Sequence, residues 1–220
     1  MTDALHFTPQ HADDLFQVMR LRRDIRGNNF LGTPIAQEDL DKILDAALLA
    51  PSVGFSQPWE FVLVRDEATR REISHIFANE NDLAKQAFKN SGMSDEKQAT
   101  YAQLKLEGIV ETPINIAVFY RPSVKPVLGQ TSMPDMGKFS VVSAVQNMWL
   151  MARALNIGMG WVSILNETKV KAILNAPQDR ELIAYLCLGH VKAFEPTPEL
   201  ERLDWEKRKQ RDDVIKNESY

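Results

Sequence analysis

The chain has 220 residues, of which 44% are hydrophobic and 25% are charged, and its formal net charge is −4. This is the composition of an ordinary globular protein, and its acidic balance argues against general binding of nucleic acid. The apolar stretches are too short or too interrupted to span a bilayer, and the N-terminal MTDALHFTPQ has no long apolar run, so we expect neither a membrane protein nor a secretory signal.

The first half of the chain alternates helical and extended patterns. Apolar residues recur at helical spacing in DDLFQVMRLR, and a second helix is predicted with Thr33 as its N-cap and Pro34 in its first turn. WEFVLVRD predicts a strand, and EATRREISHIFANE predicts a further helix. Residues 79–100 are polar, and we expect a mobile helical excursion, a lid, around residues 79–108.

The second half contains apolar strands and one long helix. INIAVFY, at residues 114–120, predicts a fully buried strand, and MGWVSIL and LIAYLCLGHV predict two more strands beside a short helix at 167–174. Residues 139–158 predict a helix whose apolar side chains lie on nearly all of its sides. Such a helix must be covered on all sides, and a second copy of the chain could supply part of that cover. Residues 196–220 are charged and predict an arm rather than core.

Together these elements predict one α+β domain over residues 1–220, with about four strands in a single sheet covered by helices. The lone cysteine, Cys187, cannot form an internal disulfide. Its place in the apolar run LIAYLCLG favours a buried, inert thiol over a nucleophile. A single cysteine also suits a cytoplasmic location, which we therefore expect.

Several catalytic motifs are missing from the sequence. The chain has no GxGxxG after a strand, no GxxxxGK[ST] and no GxSxG, so Rossmann-type or P-loop phosphate binding and serine hydrolysis are not supported. The four histidines are scattered without metal-ligand spacing, so we expect no metal.

Positive charge is concentrated in the stretch RRDIRGNNF. Its arginines complement the backbone dipole if they follow a helix, and this explains one or two of them. The alternative is an anion site, because guanidinium groups bind phosphate oxygens in bidentate fashion. Asp24 would then either orient an arginine or act as a catalytic acid or base, and spacing alone favours the orienting role.

Two further stretches suggest contact with a flat ligand. In APSVGFSQPWEF, small residues would let the backbone approach such a ligand, and Ser52 and Gln57 could hydrogen-bond it, but the pattern taken alone favours a plain connecting loop. In GMGWVSIL, glycine weakens a strand unless something must come close there. A ring stacked near Trp161 is one explanation, and a core position for Trp161 is the other.

Over residues 15–210 or so, the chain resembles the nitroreductase-like flavoproteins, and within them the flavin-destroying 5,6-dimethylbenzimidazole synthases. The stretches that carry the resemblance are RRDIR, APSVGFSQPWEFVLV, YAQLKLEGI, AVQNMWLMARALNIGMGWVSIL and YLCLGHV. The resemblance implies the nitroreductase-like α+β fold, with a central mixed sheet flanked by helices. It also implies an intertwined homodimer with two flavin sites at the interface.

The resemblance further implies that reduced FMN is the substrate and O2 the co-substrate. Fragmentation of the flavin would release 5,6-dimethylbenzimidazole, the lower ligand of vitamin B12, and erythrose 4-phosphate from the ribityl tail. It implies no metal. A separate flavin reductase would supply reduced FMN, and neither nucleic acid nor a membrane would be a partner.

Carried over by position, the resemblance assigns phosphate and ribityl binding to the segment that begins at Arg22. Asp24 and Ser163 match the two positions associated with flavin fragmentation, Asp24 as an acceptor of hydroxyl protons and Ser163 as a hydrogen-bonding group at the ring. The full set of implied FMN-binding residues is Arg22, Arg23, Asp24, Ile25, Arg26, Ser52, Gly54, Leu106, Gly160, Trp161, Ser163 and Arg208.

Two other functions fit the same residues. An FMN-dependent NAD(P)H reductase of the nitroreductase type would keep the flavin as a bound prosthetic group. A non-catalytic flavin-binding protein would need the arginines but would have no use for Asp24 or Ser163.

Overall fold

The structure, a computed structural model, describes residues 6–220, and a four-stranded sheet forms its centre. The strands are β1 (Trp59–Val64), β2 (Ile114–Tyr120), β3 (Gly158–Val162) and β4 (Glu181–Gly189). Their order is β1-β2-β4-β3, so β1 and β3 form the two edges. Every residue of β2 is buried, as its unbroken apolar run predicts for a central strand covered on both faces.

All three strand pairs are antiparallel. The predicted α+β class is confirmed, but the sheet expected to be mixed is antiparallel in its named strands. A parallel pairing occurs as an isolated bridge between Asp24 and Met159, at the outer side of β3. The arginine-rich segment therefore lies along an edge of the sheet.

Helices cover both faces of the sheet. They are α1 (Pro9–Leu21), α2 (Gln37–Leu48), α3 (Glu67–Asn90), α4 (Asp95–Gln103), α5 (Met136–Ala154), α6 (Glu167–Ile173), α7 (Glu199–Arg202) and α8 (Arg211–Val214). One core cluster contains residues of α2 and α5 with one face of the sheet, and the other contains residues of α3 and α6 with the opposite face. The sheet thus separates two apolar layers.

Two helix boundaries differ from the prediction. The second helix begins at Gln37, with Ala36 rather than Thr33 as its N-cap, and Glu38 and Asp39 lie in its first turn. Residues 31–36 stay outside the helix, and the Leu31 N–H is bonded to the carbonyl of His190 instead. The helix that starts at Glu67 continues to Asn90, because the polar residues after position 79 extend it without a helix breaker.

Cys187 is fully buried in β4, and burial raises the pKa of its thiol, so the prediction of an inert side chain agrees with its surroundings. Within residues 6–220, no helix has the length and apolar character needed to cross a bilayer. No group of three potential metal-binding side chains occurs in the same part of the chain. Residues 1–5, which belong to the predicted domain and to the N-terminal stretch interpreted above, lie outside the described residues.

Candidate active site

The arginine-rich segment, residues 22–26, is held in place by β3. Helix α1 ends at Leu21, and Arg22 then takes an extended conformation that lets the chain run beside the strand. The Ile25 N–H donates to the Met159 carbonyl at 3.1 Å, and Ile25 itself is buried in the core. The backbone between these anchors is therefore fixed, and it carries the arginines and Asp24 in a defined order.

Gly160 is required by this crossing of backbones. A Cβ at position 160 would overlap the carbonyl oxygen of Ile25. The segment 22–26 of the same chain thus approaches β3 here. The expectation that something must come close to this glycine is therefore met by the backbone of the same chain, and a ring-shaped ligand near the strand stays a prediction.

Asp24 is held by two groups of different character. Its Oδ1 accepts from the Trp161 N–H at 3.0 Å, and its Oδ2 forms an ion pair with Arg26. About a third of the Asp24 side chain, 34%, remains exposed. Burial raises the pKa of the Asp24 carboxyl, an effect that Arg26, the Trp161 N–H and Arg22 oppose and that the charge of Glu199 reinforces.

Arg26 orients Asp24 and is itself oriented by backbone carbonyls. Its Nη1 donates to Leu106 at 3.1 Å and to Trp161 at 3.2 Å. The role that spacing favoured, a carboxylate paired with an arginine, is therefore present in the structure. The pairing leaves Arg26 engaged with its own chain rather than with an anion.

A cavity of about 430 Å³ lies beside this segment, a volume typical of small-molecule sites. The residues 22–26 form one side of it, and the C-terminal residues after Glu195 form another. The complete lining is Arg22, Arg23, Asp24, Ile25, Arg26, Asn28, Asn29, Leu104, Leu106, Glu195, Thr197, Pro198, Glu199, Leu200 and Arg202.

Arg22 is the arginine best placed to receive an anion in this cavity. Its guanidinium lies 4.7 Å from the centre of the Trp149 ring, a cation–π contact. Among residues 6–220, no hydrogen bond or ion pair occupies that guanidinium. Burial lowers the pKa of Arg22; Asp24 opposes this shift and the charge of Arg208 adds to it.

Arg23 instead fastens the C-terminal segment to the site. Its Nε donates to the Glu195 carbonyl at 2.9 Å, and its Nη2 donates to the Pro196 carbonyl. Burial lowers the pKa of Arg23, as do the nearby charges of Arg22 and Arg208. Arg208 is exposed, but its effect on both pKa values shows that it lies within electrostatic reach of the arginine-rich segment.

The structure brings together one part of the predicted FMN-binding set. Leu106 lines the cavity with the 22–26 segment, and Trp161 contacts Asp24 and Arg26 through its backbone. Trp161 also packs against the apolar core, with its ring 6.3 Å from that of Trp149. The core interpretation of Trp161 therefore agrees with its position, and a ligand ring stacked near it stays a prediction.

The remaining predicted residues do not line this cavity. Ser52 accepts from the Gln57 N–H at 3.1 Å, and a Cβ at Gly54 would meet the backbone of Leu128 at 2.8 Å, so this loop packs against residues 127–128. Ser163 is exposed just after β3. Within a single chain, Ser52, Gly54 and Ser163 therefore form no part of the cavity wall.

Sequence reasoning missed several lining residues. Leu104 lines the cavity and lies in the same LKLEGI stretch as Leu106. Neither helical nor strand periodicity shows which of these two leucines faces a ligand. Glu199 and Arg202 come from the C-terminal stretch, whose charge predicted an arm. The signal that was available is Pro198, which serves as the N-cap of the short helix α7 that carries both residues.

Comparison with known proteins shows the family of this chain. The family model described as "Nitroreductase family" matches residues 19–190. The 5,6-dimethylbenzimidazole synthase of Rhodospirillum rubrum is 42% identical over 92% of this chain and 94% of its own length. The 5,6-dimethylbenzimidazole synthase of Rhodobacter capsulatus is 38% identical over 92% of this chain and 95% of its own length.

A solved structure shows the same fold. Oxidized iodotyrosine deiodinase, bound to FMN and 3-iodo-L-tyrosine, superposes with a TM-score of 0.71 at 19% identity, covering 94% of this chain and 100% of that one. With the family match and the two relatives that share more than a third of their residues, it follows that the chain belongs to the nitroreductase family and, within it, groups with the 5,6-dimethylbenzimidazole synthases.

Proposed function

We propose that this chain catalyses the oxygen-dependent fragmentation of reduced FMN to 5,6-dimethylbenzimidazole and erythrose 4-phosphate. Its similarity to synthases of that name over 92% of its length supports the reaction. The observation that carries the proposal is the position of Asp24. It is a partly exposed carboxylate on the wall of a cavity, next to arginines that suit a phosphate.

The residues of the cavity fit an FMN molecule. A phosphate monoester needs cationic donors, and the half-buried guanidinium of Arg22 makes no hydrogen bond or ion pair among residues 6–220, with Arg208 in electrostatic reach of it. A planar ring needs apolar walls, which Leu104, Leu106 and Leu200 supply. When bound, reduced flavin supplies the electrons for reaction with O2, and the protein residues bind, orient and move protons around it.

In this proposal Asp24 accepts protons from the ribityl hydroxyls. Breaking a carbon–carbon bond in a polyol requires a hydroxyl proton to leave, and a carboxylate within hydrogen-bond distance can take it. Burial raises the pKa of Asp24, and a raised pKa makes the carboxylate a stronger base. The Trp161 N–H and Arg26 fix which way the carboxylate faces.

We further propose that two copies of the chain form the complete site. Apolar side chains are exposed on α1 at Leu15, Phe16 and Met19, and on α5 at Phe139 and Val142. On each helix these residues lie within about one turn of each other, and exposed apolar groups that cluster in this way mark interfaces. A second copy would bring the loop containing Ser52 and Gly54, and Ser163, to the flavin, where Ser163 would hydrogen-bond the ring.

The proposal also retains a separate flavin reductase and a cytoplasmic location. FMN that is consumed as a substrate has to be reduced elsewhere before it binds, so a reductase must supply it. The cytoplasm holds reduced flavin and keeps a lone cysteine such as Cys187 in its thiol form.

The decisive experiment mixes the purified protein with an excess of chemically reduced FMN in air. We expect mass spectrometry to detect 5,6-dimethylbenzimidazole. Oxidation of NAD(P)H with a stable yellow flavin would instead support a reductase of the nitroreductase type. Bound flavin without either activity would support a binding protein.

Replacing Arg22 with alanine is expected to weaken FMN binding by about 10- to 100-fold, since hydrogen bonds to charged groups contribute about 1.5–3 kcal/mol. Riboflavin, which lacks the phosphate, should bind the variant and the original chain equally well. Titration of protein fluorescence with both flavins measures these affinities. Arg71→Ala on the exposed face of α3 is the matched control, and FMN affinity unchanged in Arg22→Ala would contradict the assignment.

A further inference from the structure

The stretch from Leu104 to Thr112, here called the 104–112 segment, contacts the arginine-rich segment through two consecutive carbonyls. The Leu106 carbonyl accepts from Arg26 Nη1 at 3.1 Å, and the Glu107 carbonyl accepts from the Gly27 N–H at 2.7 Å. Arg26 in turn pairs with Asp24. The orientation of Arg26, the ion-pair partner of Asp24, therefore depends on the position of the backbone at residues 106–107.

The side chain of Glu107 fixes that backbone. Glu107 is buried, with 5% of its surface exposed, although a buried carboxylate is costly unless it is paired and hydrogen-bonded. Its Oε2 accepts from the Ile109 N–H at 2.7 Å, which closes a tight loop around Gly108. Its Oε1 pairs with Lys105 Nζ at 2.5 Å. Both bonds are made to residues within two positions of Glu107, so they hold the local backbone conformation.

The surroundings leave little room for the segment to shift. A Cβ at Gly27 would meet the Lys105 side chain at 2.7 Å and the Glu107 carbonyl at 2.8 Å, so the two segments are in close contact. At the far end, the buried Arg70 of α3 donates from Nη1 to the Thr112 carbonyl at 2.5 Å and to the Val110 carbonyl at 3.2 Å. Arg70 fixes the end of the segment, and Glu107 fixes the part that touches Arg26.

We propose that Glu107 is a positioning residue for the Arg26–Asp24 pair, which rests on the proposed function of Asp24. Its carboxylate holds the Leu106 and Glu107 carbonyls where they orient the Arg26 guanidinium against Asp24. Without that carboxylate the 106–109 backbone relaxes, and Arg26 no longer faces Asp24 in one orientation. Glu107 itself touches no reacting atom and acts through Arg26.

Loss of the pairing has a predictable direction. The charged groups that face Asp24 are Arg26, Arg22 and Glu199. Glu107 is faced by Lys105, which it shares with Glu111, and by the thiol of Cys187. Burial already raises the pKa of Asp24, and Arg26 is the largest influence that opposes it. Displacing Arg26 therefore raises the pKa of Asp24 further.

The test compares Glu107→Ala with Glu111→Ala. A glutamine at position 107 could still accept from the Ile109 N–H, so alanine is used to remove both bonds of the carboxylate. Glu111 pairs with the same Lys105, at 2.9 Å, and its replacement removes one carboxylate from the same group without touching the Ile109 N–H. In the ligand-free protein, carboxyl carbon NMR should show the Asp24 titration moved upward in Glu107→Ala and unmoved in Glu111→Ala. Asp24→Asn assigns the signal.

The same two variants are then assayed with reduced FMN. We expect kcat of Glu107→Ala to fall about tenfold, with KM changed less than about twofold and the acidic limb of the pH–rate profile moved upward. A lower Tm with an unmoved Asp24 titration would overturn the proposal, as would an equal shift in both variants. If the unmodified protein makes no product, the proposed function fails, while the NMR titration still decides the positioning role.

Should Glu107→Ala fail to fold, Lys105→Gln provides a second route. Lys105 is 40% exposed, and its loss removes the ion pair that holds the Glu107 carboxylate without removing a buried group. The Asp24 titration should again move upward. An unmoved titration in a folded Lys105→Gln chain would overturn the proposal.

Discussion

Asparagine in place of Asp24 is expected to abolish the formation of 5,6-dimethylbenzimidazole from reduced FMN while leaving FMN binding nearly intact. The asparagine Oδ1 can still accept from the Trp161 N–H, so the segment keeps its place beside β3. The amide cannot accept a proton from a ribityl hydroxyl, and loss of a general base lowers a rate by about 10²–10⁴-fold. Product formation and FMN affinity, measured on the same preparation, separate these two effects.

The pH dependence gives an independent check on this expectation. The base must be unprotonated, so the rate in the original chain should rise with pH as Asp24 passes through its raised pKa. Residual activity in Asp24→Asn should show no such limb. Asp179→Asn, which changes an aspartate paired with Arg180 on the surface, is the matched control. Full activity in Asp24→Asn would remove the catalytic role from this residue.

The Asp24→Asn substitution should leave the protein folded. Because the pKa of Asp24 is raised in the folded chain, the folded state binds more protons at this group than the unfolded state between the ordinary and the raised value. The contribution of Asp24 to stability therefore declines as pH rises through that window. Replacing it with asparagine removes this dependence, so thermal unfolding at neutral pH measures whether the variant is folded before its activity is interpreted.

The sheet was predictable because burial leaves a direct mark on sequence. INIAVFY is an unbroken apolar run, and the structure places β2 at Ile114–Tyr120, the same residues, in the centre of the sheet. The start of α2 was not predictable from capping preference alone. Thr33 is a good N-cap by type, but the hydrogen bond from Leu31 to His190 holds the preceding residues in an extended path.

The candidate site was predictable in part for a different reason, the closeness of some of its residues along the chain. Arg22, Asp24 and Arg26 are close in sequence, so their proximity needs no knowledge of the fold. Leu106 was assigned only through the family resemblance, because its contact with Arg26 spans 80 positions. Glu199 was missed altogether. The charged C-terminal stretch returns to the cavity because Arg23 donates to its backbone carbonyls. Bonds to backbone carbonyls leave no pattern in the side chains, so the sequence did not indicate them.

The loop with Ser52 and Gly54 shows a different limit. Its sequence matched the resemblance well, yet in one chain it packs against residues 127–128 and Ser140, whose Oγ accepts from the Val53 N–H at 3.0 Å. A single chain therefore gives these residues no contact with the arginine-rich segment. Only the proposed pairing of two copies would reunite them, and the oligomeric state in solution, measured by light scattering, tests that step.

Alanine at Gly160 is expected to destabilise the folded chain by about 3 kcal/mol or more, the range of severe steric overlap in a core. The added Cβ would overlap the Ile25 carbonyl oxygen, which is backbone and cannot turn aside as a flexible side chain can. The segment 22–26 would have to leave β3, and Asp24 would move with it. Urea unfolding of the variant and the original chain measures the difference in free energy.

Gly92→Ala supplies the comparison that isolates this overlap. Gly92 has a positive φ of 76° and no atom within 4 Å of an added Cβ, so alanine there costs only backbone strain, about 1–2 kcal/mol. Gly160→Ala should therefore exceed it clearly. The competing explanation, that Gly160 makes room for a flavin ring, predicts the opposite pattern of results. Under that explanation Gly160→Ala would unfold at the same urea concentration as the original chain and would lose only its affinity for FMN.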